Sequence, residues 1–472
     1  TTPSTSRIMP PNLASDSGSP LGERTWSYAN GTDPWWIVAT DEDGKVRKYQ
    51  LGAFGRTNQI QEIDGTSTYY SYLKYDLADN LTNLVNAANE NIYWAFDNAG
   101  SLVAMADPYL GQWQYRRDAA GRLREQTDGR GNVIKLFYTT GGGSQDPLGR
   151  IQRKEIYSLN YSNSTLIPVF TNTYVYDSSD DGNFTVYPGQ LYKVTDSEGW
   201  QKSGYDTRAR QIKTVRHLNI NGQDYTNSLT YNDGDKVASI AYPNGGPVIT
   251  NTFFAGGSLK TVSRVGGSAY YTVSAGNYDE FDRATSFQFG NGLTTTRSFY
   301  TNSKRLSGIT CGTVFSRTLT YTAGDDLASL SGTGYGSAVS VTYDNLHRIK
   351  TYTGLSGSYT YDSVGNISNN IEGGGSSYGY GVRRPEAVKV AFGGTNLYDL
   401  CGNMIVRHGG STNAQSLVYD AENHLVRVAQ ASSNFTLVKF GYAADGARLW
   451  KWNNQSPTNL QVWIGNIYEE KG

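Results

Sequence analysis

The chain has 472 residues and a formal net charge of −1, from 41 Lys and Arg against 42 Asp and Glu. No Lys/Arg block stands out, which argues against a nucleic-acid footprint, and the apolar runs are only a few residues long, which excludes a transmembrane helix. Hydrophobic residues other than glycine make up 38%, and 54 Gly raise the apolar share to roughly half, an ordinary value for folded protein. The choice of residues is less ordinary: 36 Tyr and 54 Gly stand beside only 3 Met. Tyr favours strands, and Gly supplies the positive φ that tight turns need. The composition is all-β.

The first twenty residues, TTPSTSRIMPPNLASDSGSP, are rich in Pro, Ser and Thr and lack the basic start and apolar core of a signal peptide. They begin at Thr1 rather than an initiator methionine, as expected of a mature or cut product or a fragment. Residues 1–38 are read as an extended segment leading into an array that runs from 39 to 472. Trp35 and Trp36 stand just before the first turn signal, TDEDG at Thr40.

From there a motif recurs. LGAFGRT from Leu51 is a degenerate copy, and it is followed by YDLADNL at Tyr75, FDNAGSL at Phe96 and RDAAGRL at Arg117, these three spaced 21 residues apart. A fainter YTTGGGS comes at Tyr138, and the segment 141–168, with GGGSQDPLG, interrupts the register as a turn-rich insertion. Copies resume at Tyr176, Tyr205, Tyr231, Phe253, Tyr278, Tyr300, Tyr321, Tyr343, Tyr361, Tyr398, Tyr419 and Tyr442, giving about seventeen in all. A second punctuation lies between copies: ADPYLG at Ala106, TDGRG at Thr127, TDSEG at Thr195, and the variants YPNGG at Tyr242 and FGNGL at Phe289.

One unit follows from this pattern. The Asp that opens D-x-x-G is expected to accept hydrogen bonds from the backbone N–H groups two and three residues on. Its fourth position takes the left-handed conformation that ends a short hairpin loop. The turn residues are Asp76, Asp97, Gly100, Asp118, Gly121, Asp206, Asp279, Asp344, Asp362, Gly365, Asp399, Gly402 and Asp420, with Asp79 and Asn423 standing where others have Gly. Stretches such as YYSYLKY at 69–75 alternate as a two-faced strand does. Two turns and two strands of about 20 Å, at about 3.3 Å per residue, account for the repeat. A lone hairpin is not stable, so hairpins stack edge to edge, with Tyr rings packed and their hydroxyls wetted. Because strands twist, the sheet coils, closes or breaks, which leaves a coiled shell, a β-solenoid or a propeller-like array.

The YDxxGRL and TDxxG units resemble the YD repeats of the Rhs family, of the B and C components of insecticidal Tc toxins, and of the teneurins. The resemblance runs from about Asp41 to Gly472. RPEAV at 384–388 is similar to the RPHAV-type segment near the end of Rhs arrays, with Glu386 for the usual His. YAADGARLWKW and VWIGNIYEEKG, within 442–472, resemble the lead-in to the Rhs-associated core domain, so 384–472 is expected to be that lead-in. The resemblance implies one long curved sheet that spirals into a hollow shell or barrel-like cocoon around a polypeptide cargo such as a C-terminal toxin. It also implies a secreted or cell-surface bacterial protein. Self-cleavage in the family uses aspartates beyond the point where this sequence stops, so no catalytic residue is carried over and the chain is read as a non-enzyme without cofactor.

Other residues invite sharper readings. Asp177, Asp180 and Asp181 before Gly182, and Asp41 and Asp43 before Gly44, offer oxygen ligands for calcium, but neither completes a known loop spacing and both sets are read as turn residues. His217, His347, His408 and His424 are scattered and give no zinc spacing. Cys311 and Cys401 make no disulfide framework and are expected to be free and buried, with a single bridge left open. Paired carboxylates of a polysaccharide hydrolase would have to lie off the turn positions. Trp35, Trp36, Trp450, Trp452 and Trp463 read as caps on the two ends of the array, or as a glycan-stacking face. The second function is therefore a secreted or cell-surface adhesion module that binds carbohydrate, and the partners are a polypeptide cargo, a cell-surface glycan or another chain completing the shell.

Overall fold

In the computed structural model the described residues are 5–7, 24–28, 35–140, 143–334, 336–353, 357–370, 376–381, 384–391, 393–454 and 459–471. They contain 42 strands and no helix. The expected all-β fold of tandem hairpins in a long antiparallel sheet is the fold observed. The chain divides into two compact units, Thr1–Trp94 with Ala269–Val388 and Ala95–Ser268 with Lys389–Gly472. In the first, Trp36–Thr40, Val46–Leu51, Thr57–Asp64, Ser67–Tyr75 and Leu81–Val85 pair antiparallel in chain order. In the second, Leu123–Thr127, Val133–Phe137, Arg153–Asn160, Thr165–Tyr176 and Leu191–Asp196 do the same. Within the N-terminal segment, Thr5–Arg7 pairs with Thr25–Tyr28; residues 8–23 lie outside the described residues.

The turns differ from expectation in one bond. At Asp76, Oδ1 accepts from the N–H of Ala78 and of Asn80, two and four residues on, each at 2.9 Å. The third N–H, of Asp79, instead donates to the carbonyl of Asp76. That bond closes the type I turn, and the left-handed residue that follows (φ 76° at Asp79) swings the next N–H round to the carboxylate. Asp97, Asp118, Asp206, Asp279, Asp344, Asp362, Asp399 and Asp420 all receive the same pair of bonds. Gly100, Gly121, Gly365 and Gly402 hold the left-handed position, as do the non-glycines Ala209, Asp282, His347 and Asn423. Most of these turns set a β-bulge at the residue before Asp, for example between Lys74 and Tyr75, Gly204 and Tyr205, and Val418 and Tyr419.

The second carboxylate oxygen is what the residue after Gly reads. Arg122 Nε donates to Asp118 Oδ2 at 2.8 Å, and Arg210 to Asp206 Oδ2 at 2.7 Å. The guanidinium then lies over the tyrosine of the next repeat: Arg122 is 4.3 Å from the Tyr138 ring centre, Arg210 is 4.7 Å from Tyr231, and Arg348 is 4.5 Å from Tyr361. The tyrosine hydroxyl is not left to water. It donates to the carbonyl just after the previous turn, as Tyr138 to Leu123 (2.7 Å), Tyr205 to Leu191 (2.8 Å), Tyr343 to Leu327 (2.9 Å) and Tyr442 to Leu425 (2.8 Å). The phenol is long enough to span one hairpin's open end, so the polar tip bonds to main chain while burial raises the hydroxyl pKa. Tyr300 is an exception and reaches forward to Leu319.

Two stretches break the expected register. DPLG, read as part of an insertion, is a complete repeat turn: Asp146 accepts from Leu148 and Arg150, and Gly149 is left-handed. Arg150 holds the Asp146 carboxyl down at about 2. Conversely, YDSSDDG at Tyr176 is not such a turn. Asp177 accepts from the distant Gly189 N–H and pairs with Arg150. Both cysteines are free; Cys401 is buried as expected, but Cys311 is only half-buried. Full apolar burial concentrates in the second unit, where Leu218, Tyr225, Leu449, Trp450, Val462 and Ile464 form one cluster and Phe184, Tyr192 and Val215 another.

Each tyrosine bond is expected to contribute about 1 kcal/mol. Tyr205→Phe should lower the urea midpoint accordingly. Removing three neighbours together, with Tyr176→Phe, Tyr205→Phe and Tyr231→Phe, whose hydroxyls donate to the carbonyls of Ile151, Leu191 and Gln211, should cost about 3 kcal/mol, because each bond acts on its own stretch of the array. Equilibrium unfolding followed by tyrosine and tryptophan fluorescence checks this.

Candidate functional site

The turns do more than reverse the chain. In each unit, turns from early repeats interlock with turns from late repeats, and these two seams bring together charged and polar groups far apart in sequence.

In the first unit the TDEDG turn meets two turns about 300 residues later. Asp43 accepts from Thr322 Oγ1 at 2.9 Å and from the Gly324 N–H at 3.1 Å. His347 Nε2 is 2.6 Å from Asp41 Oδ2, and its Nδ1 is 2.5 Å from Asp326 Oδ2. Lys45 Nζ lies 3.2 Å from the same Nδ1 and 3.9 Å from the carboxylates of both Asp43 and Asp326. One hairpin further on, Asp64 accepts from Asn345 N–H at 3.2 Å and Arg348 at 3.3 Å. Approach is close: a Cβ on Gly324 would sit 2.5 Å from Asp43 Oδ2. Burial opposes charge on both partners, yet hydrogen bonds outweigh it: those from His347 and backbone N–H groups lower the Asp41 pKa, and those to Asp326 and Asp41 raise that of His347. Asp43, Asp326 and His347 are near enough to share a cation, but the Lys45 ammonium already stands among them, so the cluster is an ion-pair network. The Asp41 and Asp43 oxygens considered for calcium go to His347, Thr322 and backbone N–H groups.

In the second unit, Arg130 donates to the Asp420 carbonyl at 2.6 Å and to Asn423 Oδ1 at 2.9 Å. Lys154 reaches Glu422 and the Ala444 carbonyl, each at 2.8 Å. Asp196 accepts from Ala444 N–H at 3.1 Å while the fully buried Arg216 holds it through two bonds of 2.8 and 2.7 Å. Trp450 Nε1 donates to Glu198 at 2.7 Å. Burial raises the Glu198 pKa even against that bond. A cavity of about 190 Å³ lies along this seam, lined by Glu198, Glu422, His424 and Tyr442 among others. Two carboxylates off the Asp position of their turns therefore do share a cleft, but each is engaged by a seam partner, Trp450 and Lys154. Glycines again permit contact: a Cβ on Gly111 would meet the Leu400 carbonyl at 2.2 Å, and one on Gly441 would overlap the Trp450 indole and the Glu198 carboxylate.

The remaining sequence candidates sit apart from these seams. Asp177, Asp180 and Asp181 are met by the protein's own cations, Arg150 and Lys202. Trp35 is 49% exposed and Trp36 half-buried at the start of its strand. Trp450 is only 7% exposed and has no face free for a sugar; Trp452 packs against the same cluster, and Trp463 lies under Arg448 at 4.3 Å. Sequence reading missed Lys45, Asp64, Arg130, Lys154, Glu198 and Glu422 as seam residues, since each occupies a variable position of an ordinary turn or strand. One signal was visible: His347 stands at a left-handed position that Gly, Asn or Asp fill more easily.

No family model matches the chain, and no curated relative matches it. Solved structures do. The chain superposes on the Photorhabdus luminescens Tc holotoxin pore with a TM-score of 0.79 and 14% identity, over 95% of this chain and 26% of that one. It matches TcdB2-TccC3-TEV with a TM-score of 0.76 and 14% identity, over 98% and 27%. It matches TcdB2-TccC3 without its hypervariable C-terminal region with a TM-score of 0.78 and 14% identity, over 94% and 26%. The class is thus the all-β repeat fold of these toxin components, and this chain spans about a quarter of the length of the chains it matches.

Gly441→Val is expected to force the Trp450 indole from Glu198, lowering the melting temperature and shifting tryptophan emission to the red. Gly182→Ala, where a Cβ meets open space, should change neither. Differential scanning fluorimetry with emission spectra tests the pair.

Proposed function

We propose that this chain is a wall segment of a β-shell that encloses and shields a polypeptide cargo such as a C-terminal toxin. The observation that carries the reading is the fold shared with TcdB2-TccC3 along nearly the whole chain. The seams support it, because an array whose early turns are bolted to its late turns resists peeling from its ends. Since the chain spans a quarter of those chains, further wall comes from adjoining sequence or a partner chain. The segment 384–472 is assigned as the lead-in to a core domain, and the setting as secreted or cell-surface, bacterial. When the chain is produced with its natural flanking sequence, a protease should cut the cargo only after urea disrupts the shell. Digestion at the rate of the isolated cargo would overturn the proposal.

A second reading, a carbohydrate-binding adhesion surface, is favoured by one face of the first unit. Directly opposed residues form the row Trp36, Gln50, Gln59, Tyr72, Val85 and Asn91 across six strands. Opposed residues share a face, so Tyr70 and Tyr72, 41% and 42% exposed and stacked 6.5 Å apart, stand among amides with no carboxylate in that row. Flat rings and amides suit a neutral sugar chain. Affinity electrophoresis in neutral polysaccharide gels should retard the protein, and Tyr70→Ala with Tyr72→Ala should restore its mobility. Unretarded migration in every gel would remove this reading.

A further inference from the structure

The first-unit seam is unusual in gripping one histidine through both ring nitrogens. A neutral imidazole carries one N–H and one lone pair, so it donates to one carboxylate only; the imidazolium donates from both nitrogens. With Asp41 at 2.6 Å from Nε2 and Asp326 at 2.5 Å from Nδ1, two carboxylate acceptors face the ring and the geometry calls for the charged form.

We propose that His347 is an acid-held latch: as the imidazolium it bridges Asp41 and Asp326 and fastens the 41–45 turn to the turns at 322–326 and 344–348, and losing its proton slackens that seam.

Every charged group around the ring bears on this. Asp41, Asp43 and Lys45 come from the early turn; Asp326 comes from the 322–326 turn; Asp344 and Arg348 come from the histidine's own turn and pair with each other at 2.6 Å. Asp64 is turned toward Arg348, and of the other charged groups lining the cavity beside His347, Arg24 pairs with Glu42 at 3.0 Å and Arg47 with Glu62 at 3.2 Å. Around the ring, three carboxylates face two cations while His347 is charged. After deprotonation they face Lys45 alone. Lys45 Nζ, 3.2 Å from Nδ1, is then placed to donate to the bared nitrogen, so Asp326 loses its partner and the early and late turns share fewer bonds. The His347 pKa is raised, because the two carboxylate bonds outweigh burial and the Lys45 charge. A group raised in the folded state contributes stability that is complete below its unfolded pKa of about 6.5 and is lost as pH rises through the folded value. The seam is therefore tight in acid and slack toward alkaline pH. This inference rests on the seam geometry alone and does not require the enclosed cargo.

Amide hydrogen exchange of the whole chain, corrected for intrinsic rates, reads the latch through 41–45, 322–326 and 344–348. Protection there should fall in one step as pH rises above about 6.5, while second-unit turns held by permanent charge, such as 206–210, stay level. His347→Gln, which is uncharged at every pH, should abolish the step. Lys45→Met removes the neighbouring cation and should move the step to higher pH, a shift that a merely structural lysine would not produce. A step of equal size in His347→Gln, or flat protection in the unaltered chain, would overturn the proposal. If His347→Gln fails to fold, the Lys45→Met midpoint alone decides: an unmoved or lowered midpoint refutes the latch.

Discussion

The structure depends on one short circuit of bonds repeated along the chain. An aspartate folds its turn by receiving two N–H groups on one oxygen and offers the other to an arginine, asparagine or histidine four residues on. Where it is arginine or histidine, that side chain roofs the next tyrosine, whose hydroxyl returns to the carbonyl beside the preceding turn. Few strand residues are fully buried, so apolar packing alone does not set the spacing of successive turns. Fixed bonds from turn to turn do, and they make the hairpins register as an array. Each bond is modest, but dropping one takes from its carbonyl the tyrosine donor that serves it.

The same turns supply the seams. A turn built from main-chain bonds leaves its variable positions free, and these carry Glu198, Arg130, Glu422 and His347. The seams differ in character. The second unit buries an Arg216–Asp196 pair and a Trp450–Glu198 bond beside its largest apolar cluster. The first is more open and relies on carboxylates, one lysine and one histidine. Its strength is therefore tied to protonation, whereas the second rests mainly on permanent charge and packing. A repeat array with one seam of each kind has a firm joint and an adjustable one.

The sequence by itself determined the strand and turn pattern. Asx-turn chemistry, the left-handed residue and the tyrosine all act within one repeat, so a short motif encodes them, and even DPLG, passed over as an insertion, obeyed the rule it was not credited with. The sequence misplaced the second carboxylate bond and left the tyrosine hydroxyl in water, because both depend on the bulge, a geometric consequence that no residue type announces. Tertiary structure alone decided which turns meet. Asp41 and His347 are joined across about 300 residues, and nothing local to either says so: a carboxylate at a variable turn position looks the same whether it faces solvent or a partner turn. Long-range pairing is set by how twist accumulates over many strands, and that sum is fixed only when the whole array has folded.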